Sequence, residues 1–201
     1  MRRAGLFITL FLLSGLPEAR ATMIDILSEG TLFDPTEFNS VGANVVITPV
    51  SAWATAPPAA WVSFADTGLG GSPPANGTVV TFTQPFSLPG PINTGSVTVW
   101  ADDTAAVFLD GGLVFAANFP TDGVCAAGPI GCEPGEGGVI SLDGLAAGPH
   151  ALTFEVFQLH GDGYGLLYKG AVNSVPEPST LLLLGSALAW AMVRTRKTLT
   201  R

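Results

Sequence analysis

Positive charge is what this chain most lacks. Of its 201 residues only 12% are charged, and eight of these are Lys or Arg. Seven of the eight sit near the ends: Arg2, Arg3 and Arg20 at the start, and Arg194, Arg196, Lys197 and Arg201 at the finish. Between Thr22 and Val175, Lys169 stands alone against fourteen Asp and Glu, a net −13. Such a surface repels nucleic acid, anionic lipid headgroups and acidic polysaccharide, and it attracts cations. Nucleic-acid binding is thereby excluded.

Histidine is almost as scarce. His150 and His160 are the only two, and neither belongs to an HExxH pair. There is no G-x-S-x-G nucleophile motif, no phosphate-binding glycine loop and no dinucleotide fingerprint. A carboxylate pair of the kind glycoside hydrolysis needs can be drawn in any chain so rich in acids, so it singles out no residue. Helical periodicity is also missing between Thr22 and Ser174. In its place are 25 Gly, 16 Pro and an apolar fraction of 47% that falls in short alternating runs. That pattern excludes disorder and points to a turn-rich β protein.

Long apolar runs occur only at the two ends. Residues 1–21 read as a secretory signal peptide: Arg2 and Arg3 form the positive region, Leu6 to Leu16 the apolar stretch, and Ala19-Arg20-Ala21 the small-x-small cleavage site. The second run, Leu181 to Val193, is about thirteen residues, short of the ~20 a membrane span usually takes. Arg194, Arg196 and Lys197 follow it at once, and the positive-inside rule keeps them in the cytoplasm. Val175-Pro176-Glu177-Pro178, an apolar segment over about 179–193 and a basic tail over 194–201 together resemble the PEP-CTERM sorting signal. The resemblance covers residues 175–201. It implies export, transient anchoring in the inner membrane of a Gram-negative bacterium, and processing by an exosortase after signal peptidase has acted. Pro176 and Pro178 forbid helix at the motif and keep it extended outside the bilayer. The final location it implies is the cell surface or extracellular matrix.

The acidic middle, residues 22–174, is expected to be one jelly-roll-like β-sandwich, all-β, between the signal peptide and the sorting helix. Nine strands are expected: Val45–Thr48, Trp61–Phe64, Thr78–Thr83, Ser96–Ala101, Ala105–Asp110, Leu113–Ala116, Val139–Leu142, Ala151–Gln158 and Tyr164–Tyr168. In the eighth, Leu152, Phe154 and Val156 should face inward and Thr153 and Glu155 outward. Asp110-Gly111-Gly112 supplies the positive-φ residues of a tight hairpin.

Cys125 and Cys132 are the only cysteines, and in an oxidising compartment they read as a disulfide. A metal pair would need further soft ligands, and redox couples usually have two residues between their thiols rather than six.

Candidate binding chemistry is sparse. Paired Asp102 and Asp103, followed by Asp110-Gly111 after a second strand, resemble the strand pair of protective-antigen-type lectin domains and galactose-binding-like sandwiches. That resemblance implies a Ca²⁺ clamped by Asp102 and Asp103 and holding sugar hydroxyls, which suits an ion that takes six to eight oxygens. Asp-Asp-Thr is equally good turn chemistry, its side chains capping nearby N–H groups. Asp162 and Tyr164, in His160–Tyr168, a Gly-rich loop entering the last strand, are candidates for a ligand rim, though such a loop is more often a plain connection. Trp53, Trp61 and Trp100 offer either an aromatic platform or core. Asn76-Gly77-Thr78 fits a glycosylation sequon and, better, a turn. The expected role is non-catalytic: a carbohydrate-binding or adhesive module of exopolysaccharide or biofilm. A passive matrix protein is the alternative, and a polysaccharide hydrolase the least favoured one.

Overall fold

The computed structural model describes residues 21–29, 44–119, 125, 128–174 and 185–186. Its strands are β1 (Thr22–Leu27), β2 (Val45–Val46), β3 (Val62–Ser63), β4 (Val79–Leu88), β5 (Ile92–Asp102), β6 (Thr104–Leu109), β7 (Gly112–Phe115), β8 (Gly138–Ser141), β9 (Gly148–Phe157) and β10 (Gly165–Ser174). They form two antiparallel sheets. One runs β2-β3-β10-β5-β8, with β1 pairing a further stretch of β10, and the other runs β4-β9-β6-β7. The all-β two-sheet sandwich expected from the sequence is what forms.

Period-two alternation explains the core. Along β9, Leu152, Phe154 and Val156 are fully buried while Thr153, Glu155 and Phe157 are partly exposed. Its neighbour β4 is in matching register, Val80 opposite Val156 and Phe82 opposite Phe154, so the two strands share one apolar face. Facing them, Val97, Val99 and Ala101 of β5 and Leu166, Tyr168 and Val172 of β10 point into the same cluster. The Phe154 and Tyr168 rings stack across the two sheets with centroids 4.8 Å apart. Tyr168 then donates its hydroxyl to Gln84 Oε1 at 2.7 Å, so the polar ends of these buried side chains are satisfied. Pro85 lies in β4, which is an edge strand, where a missing N–H costs no ladder bond.

Ten strands form where nine were expected; the second and third are shorter than expected, and β4, β5, β9 and β10 are longer. β1 was not expected as a strand: Asp25 interrupts its apolar residues, and its register comes from β10, not from its own pattern. β10 continues six residues past Tyr168, through Lys169-Gly170, which carry no apolar signal. Gly170 is required there, since a Cβ would lie 2.2 Å from the Ser96 carbonyl oxygen. The β6–β7 hairpin does form, with Asp110 at φ 50° and Gly111 at φ 80°. Asp110 also ties that turn to β9, its Oδ1 accepting the Ala151 N–H at 2.9 Å and its Oδ2 lying 2.7 Å from His150 Nδ1.

A second, smaller core packs on the outer face of the β10 sheet. Ile47, Trp53, Ala54, Trp61 and Leu167 gather there with Cys125 and Cys132. The Trp53 and Trp61 rings lie 4.3 Å apart, and the Trp61 indole N–H donates to the Ala54 carbonyl at 2.7 Å. Both belong to the core. Asn76-Gly77 is a turn, with Gly77 at φ 85° and its N–H donated to the Gln158 carbonyl.

Candidate functional site

Asp102 ends β5 and Asp103 alone separates it from β6, so the pair marks the corner where the chain crosses from one sheet to the other. Both side chains are buried, at 6% and 1% exposure. Asp103 Oδ2 accepts the N–H groups of Leu159 and His160, the latter at 2.7 Å, and the Asp103 N–H donates to the Phe157 carbonyl. One carboxylate thus anchors the β9–β10 loop. Asp102 lies beside the Trp53 indole, the Asp103 carboxyl and, at 4.0 Å, the Cys125 sulfur. Burial first, then the Asp103 charge, pushes its carboxyl up to about 8, so it keeps its proton at neutral pH.

Calcium takes six to eight oxygens. Here Asp103 is turned to backbone N–H groups, and Asp102 to an indole and a neighbouring acid. The sulfurs of Cys125 and Cys132 also lie within 4.8 Å of Asp102, but they are bonded to each other as the expected disulfide. As arranged, the corner is a hydrogen-bonded loop anchor and not an oxygen cage, so the residues do not fit a resident Ca²⁺.

The expected ligand rim divides. Asp162 is exposed and close enough to Asp102 to raise its pKa a little further. Tyr164 is fully buried, its hydroxyl donating to the Val156 carbonyl at 2.9 Å and its ring meeting Phe64 edge-on. It is a core residue and lines no rim.

The surface that does offer a binding shape lies elsewhere, on the outer face of the β10 sheet. Two adjoining depressions, of about 440 and 500 Å³, share Ser96 and Ala171 and together form a groove along β5. Alternation produces it. With Val97, Val99 and Ala101 facing in, Thr94, Ser96, Thr98 and Trp100 must face out. β10 contributes Lys169 and Asn173, β1 contributes Asp25, and β8 contributes Ser141. The register sets Lys169 opposite Thr98 and Asn173 opposite Thr94, which brings hydroxyls and amide onto one surface. Trp100 bounds one end, with Gly137 against it: a Cβ there would lie 2.6 Å from both the Trp100 ring and the Thr98 methyl. Trp100 therefore lines the groove, whereas Trp53 and Trp61 do not. Its signal was present in the sequence as a polar outer row on a strand, but β1 and β10, which complete the groove with β8, lie more than sixty residues to either side.

These features define a turn-rich β-sandwich with a polar, partly aromatic sheet face. Residues 174–197 match the PEP-CTERM protein-sorting motif, so the chain carries the signal of an exported, exosortase-processed protein. Val175, Pro176, Glu177 and Pro178, residues 1–20 of the expected signal peptide and all of the apolar segment except Gly185 and Ser186 lie outside the described residues. Among the described residues no helix is long and apolar enough to cross a membrane.

No curated protein matches the chain. Among solved structures it is similar to a family 35 carbohydrate binding module from Clostridium thermocellum, at 11% identity and TM-score 0.40, covering 75% of this chain and 98% of that one. It is similar also to the GH26-CBM35 β-(1,4)-mannanase of Podospora anserina, at 15% and 0.38, covering 79% and 29%. A third is the α-L-rhamnosidase of Streptomyces avermitilis, at 22% and 0.37, covering 49% of this chain and 9% of that one. No residue role is taken from these likenesses.

Proposed function

We propose that residues 22–174 are a secreted, non-catalytic carbohydrate-binding module of an exopolysaccharide matrix, released to the surface by signal peptidase and exosortase. The observation that carries this reading is the β5 groove: a row of hydroxyls and an amide, closed at one end by a tryptophan. Sugars are bound by that combination, polar groups meeting ring hydroxyls and an indole covering an apolar sugar face. The acid pair supports a non-catalytic reading as well. Asp103 is committed to two backbone N–H groups and Asp102 is buried behind it.

The test is affinity electrophoresis of the exported chain through gels containing soluble glucan, mannan or galactan, with reducing ends assayed in parallel. Retardation in at least one gel without release of reducing ends is expected. Release of reducing ends would make the protein a hydrolase, and free migration in every gel would leave it a passive matrix component.

A further inference from the structure

We infer that the sheet-face groove selects uncharged glycan chains and rejects polymers bearing carboxylate or sulfate; this rests on the carbohydrate-binding reading above. The side chains that offer hydrogen bonds along it, Thr94, Ser96, Thr98, Ser141 and Asn173, are neutral. Its charged residues are Asp25 and Lys169 toward the Trp100 end and Asp143 at the other. Lys169 is the only Lys or Arg between Thr22 and Val175, and its ammonium donates to the Pro57 carbonyl. Asp143 accepts the Gly95 N–H at 2.9 Å. Two carboxylates against one ammonium, which already gives one of its three donors to Pro57, leave the groove net negative and disfavour an anionic substituent.

The missing residue type is arginine. Bidentate recognition of carboxylate or sulfate relies on the guanidinium fork, and residues 22–174 contain none. The net charge of −13 in the same stretch adds long-range repulsion. Shape favours a chain over a single sugar. From Thr94 to Trp100 the floor runs six residue steps, ~20 Å of extended strand, the length of several sugar rings in line.

The experiment is a binding panel with the exported chain in mild detergent: neutral glucan, mannan and galactan against a uronic-acid polymer and a sulfated galactan, each at 0.05 and 0.5 M salt. The expected result is binding to at least one neutral polymer, changed less than twofold by salt, with acidic polymers at least tenfold weaker. The Asp25→Lys variant, and the Asp25→Lys/Asp143→Lys pair, should gain acidic-polymer binding that salt removes. Equal or tighter binding of the acidic polymers by the unmodified chain would overturn the selectivity while leaving the carbohydrate reading intact. Binding to no polymer at all would overturn both.

Discussion

Thr22 and Ser174 pair directly across β1 and β10. The first residue after the expected signal-peptidase site and the last one before the Val175–Pro178 motif therefore sit side by side at one pole of the sandwich. The six-residue ladder Thr22–Leu27 with Lys169–Ser174 holds them there, Ile26 lying opposite Gly170. Thr22 and Ser174 thus lie at one end of β10, and Asp102, opposite Gly165, lies at the other.

The ladder should be energetically coupled. Ile26 is 2% exposed, and Ile26→Ala is expected to cost about 2–4 kcal/mol. Hydrogen exchange should then speed up along β10 from Lys169 to Ser174 while the β4–β9 amides stay protected at lower denaturant. Uniform acceleration everywhere would show instead that β1 is part of the global unfolding unit.

Asp103 acts as a cap for the β9–β10 loop. Asp103→Ala leaves the Leu159 and His160 N–H groups without their acceptor and should cost about 2–4 kcal/mol in urea unfolding; Asp103→Asn keeps one acceptor oxygen and should cost less. Millimolar CaCl₂ should leave the melting temperature of the unmodified protein unchanged. A rise of several degrees that Asp103→Asn abolishes would restore the calcium clamp, since a ligand of the native state stabilises it by mass action.

Asp102 gives stability a pH dependence with a definite sign. Its folded pKa is raised, from 3.8 to about 8, by burial and then by Asp103, with Asp162 adding a smaller share. His160 lies on the same side, its Nδ1 4.0 Å from Asp103 Oδ1. The folded state therefore binds the Asp102 proton more tightly than the unfolded one. That contribution is fully present below pH 3.8 and is lost as pH rises through about 8, with a limiting slope of about 1.4 kcal/mol per pH unit. Asp102→Asn, which cannot ionise, should flatten unfolding free energy against pH between 4 and 8. Identical slopes in the two proteins would remove the buried proton from the account.

Trp100 carries an indole N–H that is covered and meets no acceptor among the described residues. Trp100→Phe removes that unsatisfied donor and keeps an aromatic face, so stability should change by less than about 1 kcal/mol in either direction. Trp61→Phe is different, because its N–H donates to Ala54 at 2.7 Å, and it should cost about 1–3 kcal/mol. Thermal unfolding of the two variants side by side checks the contrast.

Much of the fold was legible where information is local. Alternation in Leu152–Val156 named the inward residues of β9, and Asp110-Gly111 named the hairpin. The cysteine spacing named the disulfide. What was hidden depends on partners distant in sequence. β1 takes its register from β10, and Tyr164, adjacent to an exposed Gly-rich loop, is drawn inward to the Val156 carbonyl. The groove is the strongest example. Thr94, Ser96 and Thr98 look like ordinary outward positions of one strand until β10 and β1 are laid beside them, and that pairing is written in no single segment.

The central claim is that the β5 face, and not the aspartate corner, meets the glycan. It is tested most directly by binding isotherms of two variants of the exported chain, Ser96→Arg on the face and Asp162→Lys on the corner loop, both at exposed positions and against the neutral polymer that binds best. The expected result is at least a tenfold loss for Ser96→Arg, which fills the groove, and a change of less than twofold for Asp162→Lys. The reverse pattern, with Asp162→Lys abolishing binding and Ser96→Arg leaving it intact, would contradict the account and move the site to the corner.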